Sequence, residues 1–141
     1  MASVIPKFLK KEIVDGWAAE NLKLMLLSSV HAPNAGTQRY IFDASVNEIV
    51  DNGAGANYIA GGIALAGKAG QYDTNAAYLD ANNVSIGPMS NLNYRYGIVY
   101  KDTGNPATSP IRAQIDFVTD QIVVNGTSLI SWDALGIIYL T

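Results

Sequence analysis

His31 is the chain's one histidine, and cysteine is absent. A zinc centre would therefore have to gather carboxylates around a single imidazole. A Ser-His-Asp triad could be built only on His31. Neither Ser28 nor Ser29 sits in the strand–turn–helix setting of a nucleophile elbow. His31 opens a stretch of turn residues that includes Pro33, Asn34 and Gly36, and it reads as a solvated loop histidine. The lack of cysteine excludes disulfides, thiolate metal sites and cysteine nucleophiles, and leaves the redox compartment open.

The remaining polar candidates offer no matched pair. Residues 51–58 superficially resemble a G-x-G-x-x-G phosphate cradle, but the third glycine is missing and the loop does not follow a strand. Asp51-Asn52-Gly53 opens like a calcium loop, without the later carboxylates such a loop needs. Asp73, Asp80, Asp102, Asp116, Asp120 and Asp133 border strands or turns, and no spacing among them suits paired acid–base work. Asp116 lies between Ile115 and Phe117, so alternation turns it away from a core. The chain is thus expected to be no enzyme, with no catalytic residue, metal or cofactor.

The elements that would carry these residues read as β-structure. Tyr94, Tyr96, Ile98 and Tyr100 alternate, as do Ile111, Ala113, Ile115 and Phe117. Each set predicts a strand with one face turned to the core. Breakers and turn formers fill residues 103–110, which makes the two strands an antiparallel pair. The apolar run 22–27 predicts a buried strand, residues 75–80 and 84–86 two short ones, and 67–72 another. Asn125-Gly126 between 121–124 and 128–132 is a type I′ hairpin signal. Residues 136–140 make the last strand, too apolar to be left as a bare edge.

Pro6 suits a first helical turn, and residues 6–15 read as a short helix stopped by Gly16. A second short helix has room near 43–50, capped by Asp43 or Ser45. The expected fold is a single mainly β domain over residues 1–141. It is an antiparallel sandwich or barrel, with residues 1–16 as a helical arm.

Composition sets limits on partners. Charged residues make up only 15 % of the chain, well below the usual quarter, which favours a surface shared with other subunits. A net charge of −3 with scattered Lys and Arg shows no basic patch, so nucleic acid is not an expected partner. No apolar run is long enough for a bilayer, and the first residues lack a secretory pattern. Synthesis in the cytoplasm is expected.

The order of segments resembles a family of small virion proteins of tailed bacteriophages. The resemblance rests on Gly55-x-x-Tyr58-x-x-Gly61-Gly62, Leu65, the Asp80-Ala81-x-x-Val84 segment, Gly97-x-x-Tyr100-Lys101-Asp102, Pro110-Ile111 leading to Ile115-Asp116-Phe117, and Trp132 with Gly136-Ile137-Ile138. Residues 67–75 and the loop around His31 depart from the pattern. The resemblance implies a capsid decoration (cement) protein that bridges capsomers on the virion. It would be a homo-oligomer, with a trimer favoured, and its partner would be the major capsid protein. The alternatives are a minor tail or head–tail connector protein, and a carbohydrate-binding sandwich that aids adsorption. Residues 1–11, 137–141 and the glycine-rich 52–62 are the expected contact elements. Within them Pro6, Phe8, Leu9, Tyr58, Ile137, Tyr139 and Leu140 are the candidate contact residues.

Overall fold

A computed structural model describes residues 3–34, 36–50 and 58–141. The chain is mainly β, with one short N-terminal helix and two antiparallel sheets. Helix α1 (Lys7–Ala18) follows Pro6, whose extended backbone starts it. Val14 is fully buried. Lys10 lays its stem on the core and donates from Nζ to Asn75 O at 2.7 Å. The helix runs three residues past the expected end. Gly16 costs a helix interior about 1 kcal/mol, but Trp17 and Ala18 pack on the core, and that contact outweighs it. Lys11 and Asp15, one turn apart and 2.7 Å from contact to contact, brace the exposed side.

The first sheet has the order β2-β1-β5-β6, from β1 (Leu22–Leu27), β2 (Ile63–Ala64), β5 (Val84–Lys101) and β6 (Ile111–Ile130). The second has the order β3-β4-β7, from β3 (Ala69–Tyr72), β4 (Ala77–Asp80) and β7 (Ile138–Leu140). The main core lies where the sheets face one another and joins Leu22, Leu24, Leu26, Leu79, Leu92, Tyr94 and Val99. The sequence of β1 shows no alternation because both of its faces are covered. Leu22, Leu24 and Leu26 enter the main core, while Met25 and Leu27 enter a second cluster with Ile41, Ala44, Ile98 and Tyr100.

That second cluster is roofed by the segment where another helix has room in the sequence. Only two 3₁₀ turns form there, Ile41–Asp43 and Ser45–Asn47. Tertiary bonds outcompete the helix. Ser28 N donates to Asn47 O at 2.9 Å, Ile49 N to Leu26 O at 3.1 Å, and Glu48 is drawn out into extended backbone that bridges Leu27.

β5 and β6 pair antiparallel along nearly their whole length, joined through residues 102–110, as their alternation predicts. The expected single-faced stripe, however, is broken. Register shifts fall between Tyr94 and Tyr96 and between Val99 and Tyr100. At the first, two steps along β5 face five along β6, and β5 exchanges its faces there; at the second, Arg112 of β6 is the surplus residue, and Ile111 changes face. Tyr94 therefore packs edge-on to Phe117 in the main core, with ring centroids 5.2 Å apart. Tyr96, Ile98 and Tyr100 serve the second cluster. Ile111 likewise parts company with Ala113, Ile115 and Phe117.

The Asn125-Gly126 hairpin does not form. Residues 121–124 and 128–130 belong to one strand, β6, which already has β5 as its partner. Asn125 does take a left-handed conformation (φ 51°), but it does so within a continuing strand. Gly87 stands opposite at φ 143°, and a Cβ there would meet Thr127 Cα at 2.8 Å. Residues 84–86, expected as a separate short strand, are the beginning of β5.

Candidate interaction surface

A hydrogen-bonded polar group lies beside the second cluster, in a cleft of about 410 Å³. β1 contributes Lys23, β5 contributes Tyr100, and the 3₁₀ segment ends in Glu48. Tyr58 is buried, and its hydroxyl accepts from Leu26 N (2.9 Å) and donates to Glu48 Oε1 (2.7 Å). The same Glu48 oxygen accepts from Gly61 N at 2.7 Å. The Tyr100 hydroxyl donates to Gly61 O. Lys23 Nζ meets Asp102 at 2.6 Å, and Asp102 also accepts from Gly104 N at 2.9 Å.

Burial, then the Glu48 charge, push the Tyr58 phenol far above its usual range, and burial carries Tyr100 up to about 12. Lys23 and the Gly104 amide hold Asp102 below the ordinary carboxylate value. Both phenols stay protonated, and both carboxylates are engaged. This arrangement pins residues 58–62 onto β1 and β5. Among the described residues it presents no unengaged base or nucleophile beside an open space.

His31 is the largest departure from expectation. It is 3 % exposed, not solvated, and packs edge-on to Tyr96 with centroids 5.7 Å apart. Neither ring nitrogen has a hydrogen-bond partner among the described residues. Burial lowers its pKa. Asp116 is exposed, and its carboxylate takes Arg95 Nε at 2.7 Å and Nη2 at 3.3 Å. It also accepts from Val118 N at 2.7 Å, fixing a turn in which Val118 stands at φ 70°. Among the described residues, no group of three His, Cys, Asp or Glu is placed to hold a metal.

The residues expected to make contacts are divided. Pro6, Phe8 and Leu9 lie exposed on the arm, with Phe8 edge-on to Tyr72. Ile137 and Leu140 are half-buried on the main core. Tyr139 is exposed, and its hydroxyl donates to Asp73 at 2.7 Å. Tyr58 is a core residue whose hydroxyl is used within the chain, a placement at odds with a contact role. Of the glycine-rich segment 52–62, residues 52–57 lie outside the described residues.

A second exposed apolar row went unassigned in the sequence. Ile122, Val124 and Leu129 are 65, 66 and 63 % exposed on the outward face of β6. The signal was present: residues 121–130 contain no charged side chain. The face could be assigned only once the register shift between Ile86 and Met89 of β5, opposite Gly126 and Ser128, was known. Comparison of the chain with protein-family models, with curated proteins and with solved structures returns no match.

Proposed function

We propose that this chain is a non-enzymatic structural protein of a tailed-bacteriophage particle, a decoration protein that binds the capsid exterior and bridges capsomers as a homo-oligomer. The resemblance in motif order suggests the class. The observation that carries the reading is the apolar arm. Val4, Ile5, Phe8, Leu9 and Ile13 are 85, 51, 63, 46 and 38 % exposed, while Lys10 and Val14 hold the same helix to the domain. A helix anchored on one side and apolar on the other suits a groove on a neighbouring subunit. Many weak contacts of this kind, repeated by symmetry, stabilise a shell.

Quantitative mass spectrometry of purified particles tests it. A ratio near one copy per capsid subunit, or one oligomer per local symmetry axis, supports decoration. A few copies per hundred capsid subunits moves the protein to the tail or the head–tail connector. Absence from particles overturns the structural reading altogether. Phe8→Asp with Leu9→Asp should leave the domain folded and remove it from the particle.

A further inference from the structure

We propose that two copies of this chain join through β6, edge to edge and antiparallel, to make one continuous sheet across a two-fold axis. β6 is the outer strand of the four-stranded sheet. Its partner β5 satisfies one side of its ladder, and its other side is open over residues 121–130 among the described residues. Natural edges are usually guarded by charge, proline or brevity. This stretch has neither charge nor proline and belongs to a strand of 20 residues.

The outward face adds a reason to pair. Ile122 and Val124 stand there beside Asn93 and Asn91 of β5, their register partners, all four exposed. Antiparallel pairing centred on Val123 would set Ile122 against Val124 of the copy, and Val124 against Ile122. Four apolar side chains would then lie together at the seam, with an asparagine row on either side. An apolar centre with a polar rim is the ordinary anatomy of an interface. No charge opposes the approach of an identical strand.

The pattern of edges selects a second copy and a two-fold arrangement. β2 has two residues and β7 three, and α1 packs on β3. A ring made by strand addition needs two long free edges, and among the described strands this chain offers one. Pairing of one edge with itself is isologous and closes as a dimer. Ile122, Val124 and Leu129 offer on the order of 300 Å² of apolar surface per copy, the size of the largest patch on an ordinary monomer. A standard interface takes roughly 800 Å² per partner, so the ladder and the asparagine rims must supply the remainder, and the dimer should be reversible. This inference does not depend on the particle reading.

Sedimentation equilibrium of the full chain, from about 1 μM to about 1 mM, tests it. The expected result is a monomer–dimer equilibrium. Ile122→Lys with Val124→Lys should weaken it by at least about tenfold, the scale expected when charge is placed in an apolar seam. Phe8→Lys on the arm should leave it unchanged. A monomer throughout, a trimer, or a dimer indifferent to the β6 substitutions would overturn the proposal. Should the double variant fail to fold, hydrogen exchange on the wild-type chain decides. Concentration-dependent protection of amides in residues 120–125 supports the seam, and its absence overturns it. A chain that is monomeric in solution yet abundant on particles would refute this pairing and leave the decoration reading standing.

Discussion

Replacing Tyr58 by Phe removes one oxygen and leaves the ring. The ring is 4 % exposed and lies in the main core, so packing is preserved. What is lost is the bridge from Leu26 N to Glu48 Oε1. The Leu26 amide is buried in a strand and would be left without that acceptor, which costs roughly 1–3 kcal/mol. The bond to Glu48 involves a carboxylate, and such bonds contribute about 1.5–3 kcal/mol. Glu48 still has Gly61 N and can reorient, so the two losses overlap. The expected total is about 3 kcal/mol. For a chain of this size each kcal/mol lowers the melting temperature by roughly 3 °C, so Tyr58→Phe should melt about 10 °C below wild type. Urea denaturation should show a lower midpoint with an unchanged m-value, because the surface exposed on unfolding is the same. A double-mutant cycle with Glu48→Gln should give a coupling of about 1 kcal/mol or more. A melting shift under about 2 °C would refute the reasoning, since the hydroxyl would then be dispensable to the attachment of residues 58–62.

Two further outcomes follow from features of the same sheet. Gly62 has φ 92°, and a Cβ there would lie 2.2 Å from Leu24 O, so Gly62→Ala should destabilise by about 3 kcal/mol or more, measured by urea denaturation. His31 has a folded-state pKa below the ordinary 6.5, so between the two values the unfolded chain binds more protons and stability falls as pH drops below about 6.5. Asp102, lowered from 3.8, adds its own loss only below that value, which leaves the window from pH 6.5 to about 4.5 to His31. Denaturation midpoints at pH 7, 6 and 5 should decline for wild type and stay nearly level for His31→Leu.

The sequence was most readable where local pattern and tertiary demand agree. The run of β1, apolar but for Lys23, announces a strand covered on both faces, and its bounds fall where the run ends. The β5–β6 pairing follows from two alternating runs around a breaker-rich connection. Reading failed where long-range contacts overrule local preference. Asn125 supplies the left-handed backbone that its type suggests, but residues 128–130 continue the ladder with β5 instead of folding back on 121–124. The tyrosine stripe loses its common face to bulges, and a bulge leaves no mark in a periodicity of two. Glu48 sits in a stretch fit for a helix and is held extended by Tyr58, Gly61 and the bridge to Leu27. His31 looked solvated because turn residues surround it, yet its ring closes over Tyr96. As for the contact surface, Phe8 and Leu9 were visible in the amphipathic arm. The row from Ile122 to Leu129 required knowing which strand ends the sheet.

The pairing of β1 has a consequence for the chain as it is made. Leu22 is matched with Lys101 and Leu27 with Tyr96, so the first strand's main partner is encoded some seventy residues downstream. At about 5–20 residues per second, the ribosome takes roughly 4–15 s to deliver it. During that interval Leu22-Lys23-Leu24-Met25-Leu26-Leu27 has emerged with neither face covered and both edges open. Short β2 arrives sooner but matches only Lys23 and Leu24. Slower elongation between residues 30 and 100 would lengthen this exposure and lower the soluble yield, whereas faster elongation would shorten it. The finished protein conceals its most adhesive segment at the centre of a sheet, and the nascent one must carry it unprotected for about half of its synthesis.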